Sequence, residues 1–356
     1  MLTKNDFKRI LIVRLSSIGD VVMTTPVAKA LRGAFPEAYL AWIVEDKSRD
    51  ILEGNPYLDE VIVWNRSSIA PGPVGYLKSM LGLRRELKKR RFDVAIDFQG
   101  LCRSAVVAKL SGARRCLGYS NVREKAGVLY DVRLQMDNGR LRGRELYAKM
   151  LGLLGVPTDD LEMHIPIGDK DRAFAREIIA DGIAAHKGAR GVAALCPATT
   201  WPHKHWTEEG WARLADGLLS RYGVMPIFLG SKADSALVER IRGLMDGESA
   251  SAVGRTSLRQ AAAIIEQSDL VAAVDTGLLH IAVALNRPTV AIFGPTAWDY
   301  LSGVETLAVV AKSLPCMPCF RHPTCETYEC MQSISADDVL SAAEKWLVGK
   351  HANARS

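Results

Sequence analysis

The stretch Val274-Asp-Thr-Gly-Leu-Leu-His-Ile-Ala-Val-Ala-Leu-Asn-Arg-Pro-Thr-Val-Ala-Ile-Phe-Gly-Pro-Thr296 reads as strand end, tight turn, short helix, second strand and second turn. Asp275, Thr276 and Gly277 bring an acid, a hydroxyl and a glycine together where strand hands over to helix. In an open α/β sheet that handover lies on the ligand-binding edge. A helix starting there offers unpaired N–H groups and a positive dipole end, which suits a phosphate. Gly277 lets a ligand approach the backbone closely, and His280 falls one turn in, near the same mouth. The structural alternative is that Asp275 caps the helix and His280 packs.

Working outward, the second half of the chain repeats this scheme. Gly191–Cys196, Met225–Leu229, Leu270–Val274 and Thr289–Phe293 have strand character. Trp206–Tyr222, Ser235–Asp246, Leu258–Gln267 and Leu279–Leu285 read as helices. The first half alternates in the same way. Its strands are Ile10–Arg14, Tyr39–Val44, Glu60–Trp64 and Asp93–Asp97; its helices are Val27–Gly33, Gly75–Arg90 and Arg103–Leu110. Alternation of this kind implies α/β architecture, with parallel sheets covered on both faces. Pro166 and Gly168 mark a crossover between the halves, followed by a helix to about His186. The expected organisation is a first Rossmann-like domain over residues 1–170, a second over 185–334 and a C-terminal helix over 335–349. The tail after Gly349 reads as disordered.

The bulk numbers agree with two domains, since 356 residues suffice for two cores. A hydrophobic content of 48% and a charged content of 24% are those of a soluble globular protein. No run approaches the ~18 apolar residues of a membrane helix. The opening apolar run is short and interrupted by Arg14, unlike a signal peptide, so a cytoplasmic location is expected. Much of the +6 charge lies in Leu83-Arg-Arg-Glu-Leu-Lys-Lys-Arg-Arg91, with Met80, Leu83 and Leu87 on one helical face. This is either an ordinary solvated face or a surface drawn to an anionic membrane or an acidic acceptor. No basic stripe with interleaved aromatics is present, so nucleic acid is not an expected partner.

Four segments carry candidate chemistry. Arg14-Leu-Ser-Ser-Ile-Gly-Asp20 follows the first strand and puts the Asp20 carboxylate on the ligand-binding edge; the alternative is an acid serving a helix dipole. Pro26 fits a helical first turn, so a long loop is expected before it. Pro197-Ala-Thr-Thr-Trp-Pro-His-Lys-His-Trp206 offers Thr199, Thr200 and Lys204 to phosphate oxygens. The Asp275–His280 turn is the third. Asp97-Phe-Gln-Gly-Leu-Cys-Arg103, with Arg123 and Glu124, reads as an acceptor contact or as a turn with surface ion pairs. Cys316, Cys319, Cys325 and Cys330 cluster without a second Cys-x2-Cys knuckle, which leaves a structural metal cluster, a disulfide or reduced thiols open.

Taken together these motifs resemble the glycosyltransferase family that contains the lipopolysaccharide heptosyltransferases (glycosyltransferase family 9). The likeness runs over nearly the whole chain. It rests on Arg-Leu-Ser-Ser-Ile-Gly-Asp, Asp-Phe-Gln-Gly-Leu with the later Arg-Glu, Thr-Thr-x3-Lys-His-Trp, Asp-Thr-Gly-x2-His-x-Ala-x-Ala-Leu and Phe-Gly-Pro-Thr. The resemblance implies a GT-B fold, two Rossmann-like domains whose parallel sheets face a central cleft. It implies inverting, metal-independent transfer of heptose from ADP-L-glycero-D-manno-heptose to the Kdo or heptose of the lipopolysaccharide inner core. No cofactor is then required. Asp20 matches the family's general base. Thr199, Thr200 and Lys204 match donor-phosphate contacts, and Asp275, Thr276, Gly277 and His280 match the donor-binding turn. Ser17, Gly19, Arg103, Arg123 and Glu124 fall to the acceptor side. The acceptor is lipid-linked, so a transient contact with the inner face of the cytoplasmic membrane is expected. The competing readings are a transferase of the same fold using another nucleotide sugar and a non-catalytic sugar-nucleotide binder. A nicotinamide oxidoreductase is disfavoured because no Gly-x-Gly-x2-Gly follows the first strand.

Overall fold

The computed structural model describes residues 7–120, 123–135, 143–186, 188–320, 323 and 325–352. The chain divides into two compact units, Met1–Pro166 and Ile167–Ser356.

In the first unit, β1 (Arg9–Val13) is followed by α1 (Ile18–Thr24), α2 (Pro26–Ala34) and β2 (Tyr39–Glu45). Then come β3 (Glu60–Trp64), α3 (Pro73–Lys89), β4 (Val94–Asp97), α4 (Cys102–Leu110), β5 (Arg115–Tyr119), β6 (Val132–Leu134) and α5 (Arg144–Gly152). The sheet order is β3-β2-β1-β4-β5-β6, every pairing parallel. Ile10–Val13 and Val94–Asp97 are wholly buried, as expected for strands covered on both faces. The expected long loop before Pro26 is instead a helix. Residues 18–24 form α1, and Pro26 starts α2 at its first position, where the missing N–H costs nothing.

The second unit opens with α6 (Asp169–Ala185), which packs against a later helix, α9, of the same unit. It continues through β7 (Gly191–Cys196), α7 (Glu208–Tyr222), β8 (Val224–Phe228), α8 (Ser235–Gly243), β9 (Ala250–Ser251), α9 (Leu258–Gln267) and β10 (Leu270–Val274). It ends in α10 (Gly277–Ala284), β11 (Thr289–Phe293), β12 (Leu307–Ala311), α11 (Glu329–Gln332) and α12 (Ala336–Ala352). The sheet order is β12-β11-β10-β7-β8-β9, again all parallel. Numbered from the first strand of each unit, both sheets have the order 3-2-1-4-5-6. That order reverses direction between the first and fourth strands, and ligands bind in the crevice beyond the strand ends at that point. α12 runs past Gly349 to Ala352, so the helix is longer than its sequence suggested.

The core of the second unit joins Trp206, Trp211, Leu214 and Leu218 to Leu340 and Leu347 of α12. Trp206 meets Trp211 edge-on at 5.3 Å and donates from Nε1 to the Ile334 carbonyl at 3.0 Å. Thr207 caps α7 by accepting from Gly210 N at 3.0 Å. In the first unit, Gly118 within β5 has a specific cause. A Cβ there would lie 2.4 Å from the Tyr130 ring, which crosses the strand at that point.

Candidate active site

In the first unit the polar side chains gather at the carboxyl ends of β1, β2 and β4. Ser17 is the N-cap of α1 and Asp20 its third residue. Ser17 donates to Asp20 Oδ2 from N (3.1 Å) and Oγ (2.9 Å), while Arg14 Nη2 lies 2.6 Å from Oδ1. Asp20 is therefore both things its sequence allowed: a helix-start acid and a carboxylate that remains 52% exposed at the switch point. Gly19 is buried beside it. Arg14 is buried and donates from Nη1 to the Phe98 carbonyl at 2.5 Å. Burial opposes its charge, but Asp20, with Tyr147, Tyr119 and Asp97, more than offsets this and raises its pKa.

Arg103 donates from Nη2 to Ser16 Oγ at 3.2 Å and pairs with Glu45 Oε1 at 3.2 Å. Glu45 is buried and also reaches Arg66 Nη1 at 3.4 Å. Sequence reading missed Glu45. The available signal was a carboxylate closing an otherwise apolar strand, Tyr39–Glu45. Glu124 accepts from Cys102 N at 3.0 Å, so it is engaged at the start of α4. The Arg123 side chain lies outside the described residues. Asp97 is fully buried and accepts from Tyr130 Oη (2.6 Å), Gln99 N (2.7 Å) and Gly100 N (3.1 Å). Burial pushes its carboxyl upward against those hydrogen bonds. Asp97 thus builds the turn that holds Arg103.

In the second unit the corresponding switch point lies beyond β7 and β10. Lys204 Nζ sits 2.6 Å from Asp275 Oδ2, both side chains being about one-eighth exposed (12% and 13%). Thr296 Oγ1 donates to the same oxygen at 2.7 Å, and Thr199 Oγ1 donates to the Asp275 carbonyl at 3.0 Å. The Lys204 ammonium also lies over the Trp201 ring, 4.1 Å from its centroid. The helix N-cap is Thr276, whose side chain makes no capping bond, so Asp275 is not the cap. Gly277 is the first residue of α10, and Thr200 is exposed on the facing loop. His280 is buried, with Nε2 3.9 Å from Asp275 Oδ1 and its ring stacked on Tyr300 at 6.0 Å. His205 Nε2 donates to the Thr199 carbonyl at 3.0 Å, which pins the loop. Asp275 is thus the node at which the loops after β7, β10 and β11 meet. Thr296 was visible only as part of the Phe-Gly-Pro-Thr motif.

His203 Nε2 donates to the Phe320 carbonyl at 2.7 Å, and Phe320 N donates to the Pro295 carbonyl at 2.8 Å. The cysteine-bearing segment therefore touches two of the donor-side loops. All seven cysteines are free thiols. Among the described residues no three His, Cys, Asp or Glu side chains are grouped to hold a metal ion, so the cluster of Cys316, Cys319, Cys325 and Cys330 has no ligand geometry here. Burial, followed by the neighbouring thiols, pushes the Cys319 and Cys330 thiols up.

The motifs and their placement are matched by known proteins. The model of glycosyltransferase family 9 (heptosyltransferase) fits residues 80–329. The chain belongs to glycosyltransferase family 9. This family 9 enzyme is 30% identical over 333 residues to lipopolysaccharide heptosyltransferase 1 of Pseudomonas aeruginosa, covering 90% of this chain and 88% of that protein. The fold matches a family 9 glycosyltransferase from Veillonella parvula with TM-score 0.82 at 24% identity, over 97% and 98% of the two chains. It also matches E. coli heptosyltransferase WaaC solved with ADP, with TM-score 0.68 at 26% identity, over 95% and 97%. The architecture is the GT-B fold.

Proposed function

We propose that this protein transfers heptose from ADP-L-glycero-D-manno-heptose to the Kdo or heptose of the lipopolysaccharide inner core, with inversion. The observation that carries the donor half is the Lys204–Asp275 pair at 2.6 Å beside the N-terminus of α10. The pair holds a cation at a helix start, where a diphosphate gains both the point charge and the N–H groups. Thr200 adds an exposed hydroxyl donor on the facing loop, and Thr199 holds that loop to the Asp275 carbonyl. Family membership and the ADP bound in a neighbour's crystal support the same reading.

The chemistry follows from these residues. Asp20 takes the proton of the acceptor hydroxyl as its oxygen bonds to the anomeric carbon. The bond from that carbon to the phosphate oxygen breaks, and its electron pair leaves with ADP. A diphosphate is an acidic leaving group, so no second carboxylate is needed to protonate it, unlike in glycoside hydrolysis. Lys204 and the α10 N-terminus stabilise the charge that develops on it. In this reading the reaction needs no cofactor or metal. Glu45, Arg66 and Arg103 shape the acceptor side. The enzyme works in the cytoplasm and visits the inner face of the membrane, where its acceptor is embedded.

The test is a nucleotide-release assay pairing ADP-heptose, UDP-sugars and GDP-sugars with truncated inner-core acceptors. ADP release that depends on acceptor is the expected result. Release from a UDP-hexose but not from ADP-heptose would overturn the donor assignment.

A further inference from the structure

α3 carries an apolar surface on the side turned away from its core. Its inward face is Met80, Leu83 and Leu87. On the outside, Val74 is 65% exposed, Leu77 59% and Leu81 56%. At 100° per residue these three fall within about 60° of one another around the helix, a single ridge over its first half. Lys78, Arg84, Arg85 and Lys88 are exposed and lie on or beside the same side. Among the described residues none of these four forms an ion pair, whereas Lys89 is paired with Glu86 at 2.6 Å. One exposed apolar side chain is unremarkable alone, but a valine and two leucines on one ridge with cations around them make a surface with two affinities.

The place of the ridge adds to this. α3 returns from the carboxyl edge of the sheet, so its first turns stand at the edge that carries Asp20. Trp64, the last residue of β3, fixes that end: its Nε1 donates to Ser79 Oγ at 3.0 Å, and its ring meets Tyr76 at 6.4 Å. Arg66, two residues further along the connecting segment, is the one that reaches Glu45 and through it Arg103. No helix among the described residues is long and apolar enough to cross a membrane, so lipid contact would be made by such a surface rather than by a span.

We propose that the Val74–Leu77–Leu81 ridge, ringed by Lys78, Arg84, Arg85 and Lys88, docks this protein on an anionic lipid surface and brings the Asp20 edge to a membrane-embedded acceptor. The occupant is a lipid surface because the apolar residues suit the acyl boundary and the surrounding cations suit lipid phosphates. The second clause rests on the transferase reading above; the first does not.

The experiment is co-sedimentation of the full chain with vesicles of phosphatidylethanolamine and phosphatidylglycerol, compared with phosphatidylcholine alone. Two variants are used: Val74→Ser/Leu77→Asn/Leu81→Asn, and Lys78→Glu/Arg84→Glu/Arg85→Glu/Lys88→Glu. Circular dichroism and melting should match the parent, because every changed side chain is exposed. The ridge variant is expected to lose roughly tenfold or more in affinity for the anionic vesicles, since three apolar side chains no longer leave water. The charge variant should lose the preference for anionic over neutral lipid. With ADP-heptose, both variants should keep the parent's rate on a deacylated, water-soluble acceptor and fall on a vesicle-embedded one. Parental vesicle binding by the ridge variant overturns the proposal, as does a parental dimer that the ridge variant abolishes without any vesicle binding. Absence of transfer on both acceptors, with lipid binding intact, counts against the transferase reading and not against the docking surface.

Discussion

Arg14 Nη2 stands 2.6 Å from Asp20 Oδ1, and the two groups differ sharply in access to water, the guanidinium side chain being 10% exposed and the carboxylate 52%. The arginine is anchored from behind by the Phe98 carbonyl. It aims one oxygen of Asp20, while Ser17 holds the other. A carboxylate restrained in this way loses little freedom when it meets a substrate hydroxyl.

Asp20→Asn should abolish transfer while leaving nucleotide affinity near that of the parent. The expected loss in kcat is roughly 10²–10⁴-fold, the usual worth of a positioned base. Calorimetric titration with ADP and single-turnover transfer measure the two halves separately. Strong residual turnover would remove Asp20 from this role.

Arg14→Met should slow transfer and move the acid limb of the pH–rate profile to higher pH. The sign follows from the pair itself: the guanidinium favours the charged carboxylate, and without it the proton binds more readily. Arg14→Lys should restore part of the profile, since the charge remains but the second bond to Phe98 does not. A merely structural arginine would lower stability in both variants and leave the pH profile where it was.

Lys204→Ala should weaken nucleotide binding. Asp275→Ala should do more harm to the fold, because it leaves a largely buried ammonium without its partner, a loss of about 3–5 kcal/mol. Lys204→Met combined with Asp275→Leu should recover much of that stability and still fail to bind ADP. Urea denaturation of the parent, of Lys204→Met and Asp275→Leu singly and of the double variant, with ADP titrations alongside, gives the coupling. Additive effects would mean that the pair is not a unit.

Asp97 gives a prediction in pH. Its carboxyl is raised in the folded protein by burial, so between the unfolded value of about 3.9 and the raised folded value the native state holds a proton that the unfolded chain has released. Stability from this group is therefore greatest below the unfolded value and declines as pH rises toward the folded one. Asp97→Asn, compared with the parent by denaturation across the acid range, should lack this decline. A parental curve of identical shape would show that Asp97 is not the titrating group.

Much of this architecture can be read from the chain because its strands are short apolar runs bounded by polar turns. Ile10–Arg14 and Leu270–Val274 needed only their hydrophobicity and the Ser-Ser-Ile-Gly-Asp or Asp-Thr-Gly that follows. The strands Arg115–Tyr119 and Val132–Leu134 were not legible. One contains a glycine whose reason is Tyr130, twelve residues further on and outside the strand, and the other is three residues long. α1 was hidden behind Pro26, which marks a helix start but says nothing of the helix that ends just before it. At the site, residue types and spacing pointed to Asp20, Lys204 and Asp275. They could not show that Lys204 is held by Asp275, or that Glu45 bridges Arg66 and Arg103. Those relations exist only once separate strands are laid side by side.

The shared strand order has a consequence for how such an enzyme changes. Each sheet opens its own crevice on its own loops, so the groups assigned to the incoming nucleotide all come from residues after 190 and those assigned to the nucleophile from residues before 125. Recombination at the Pro166–Ile167 boundary exchanges one set whole without cutting a strand pairing of either sheet. Diversification of donor and of acceptor can therefore proceed along separate lineages of sequence, each half inherited as an intact cassette.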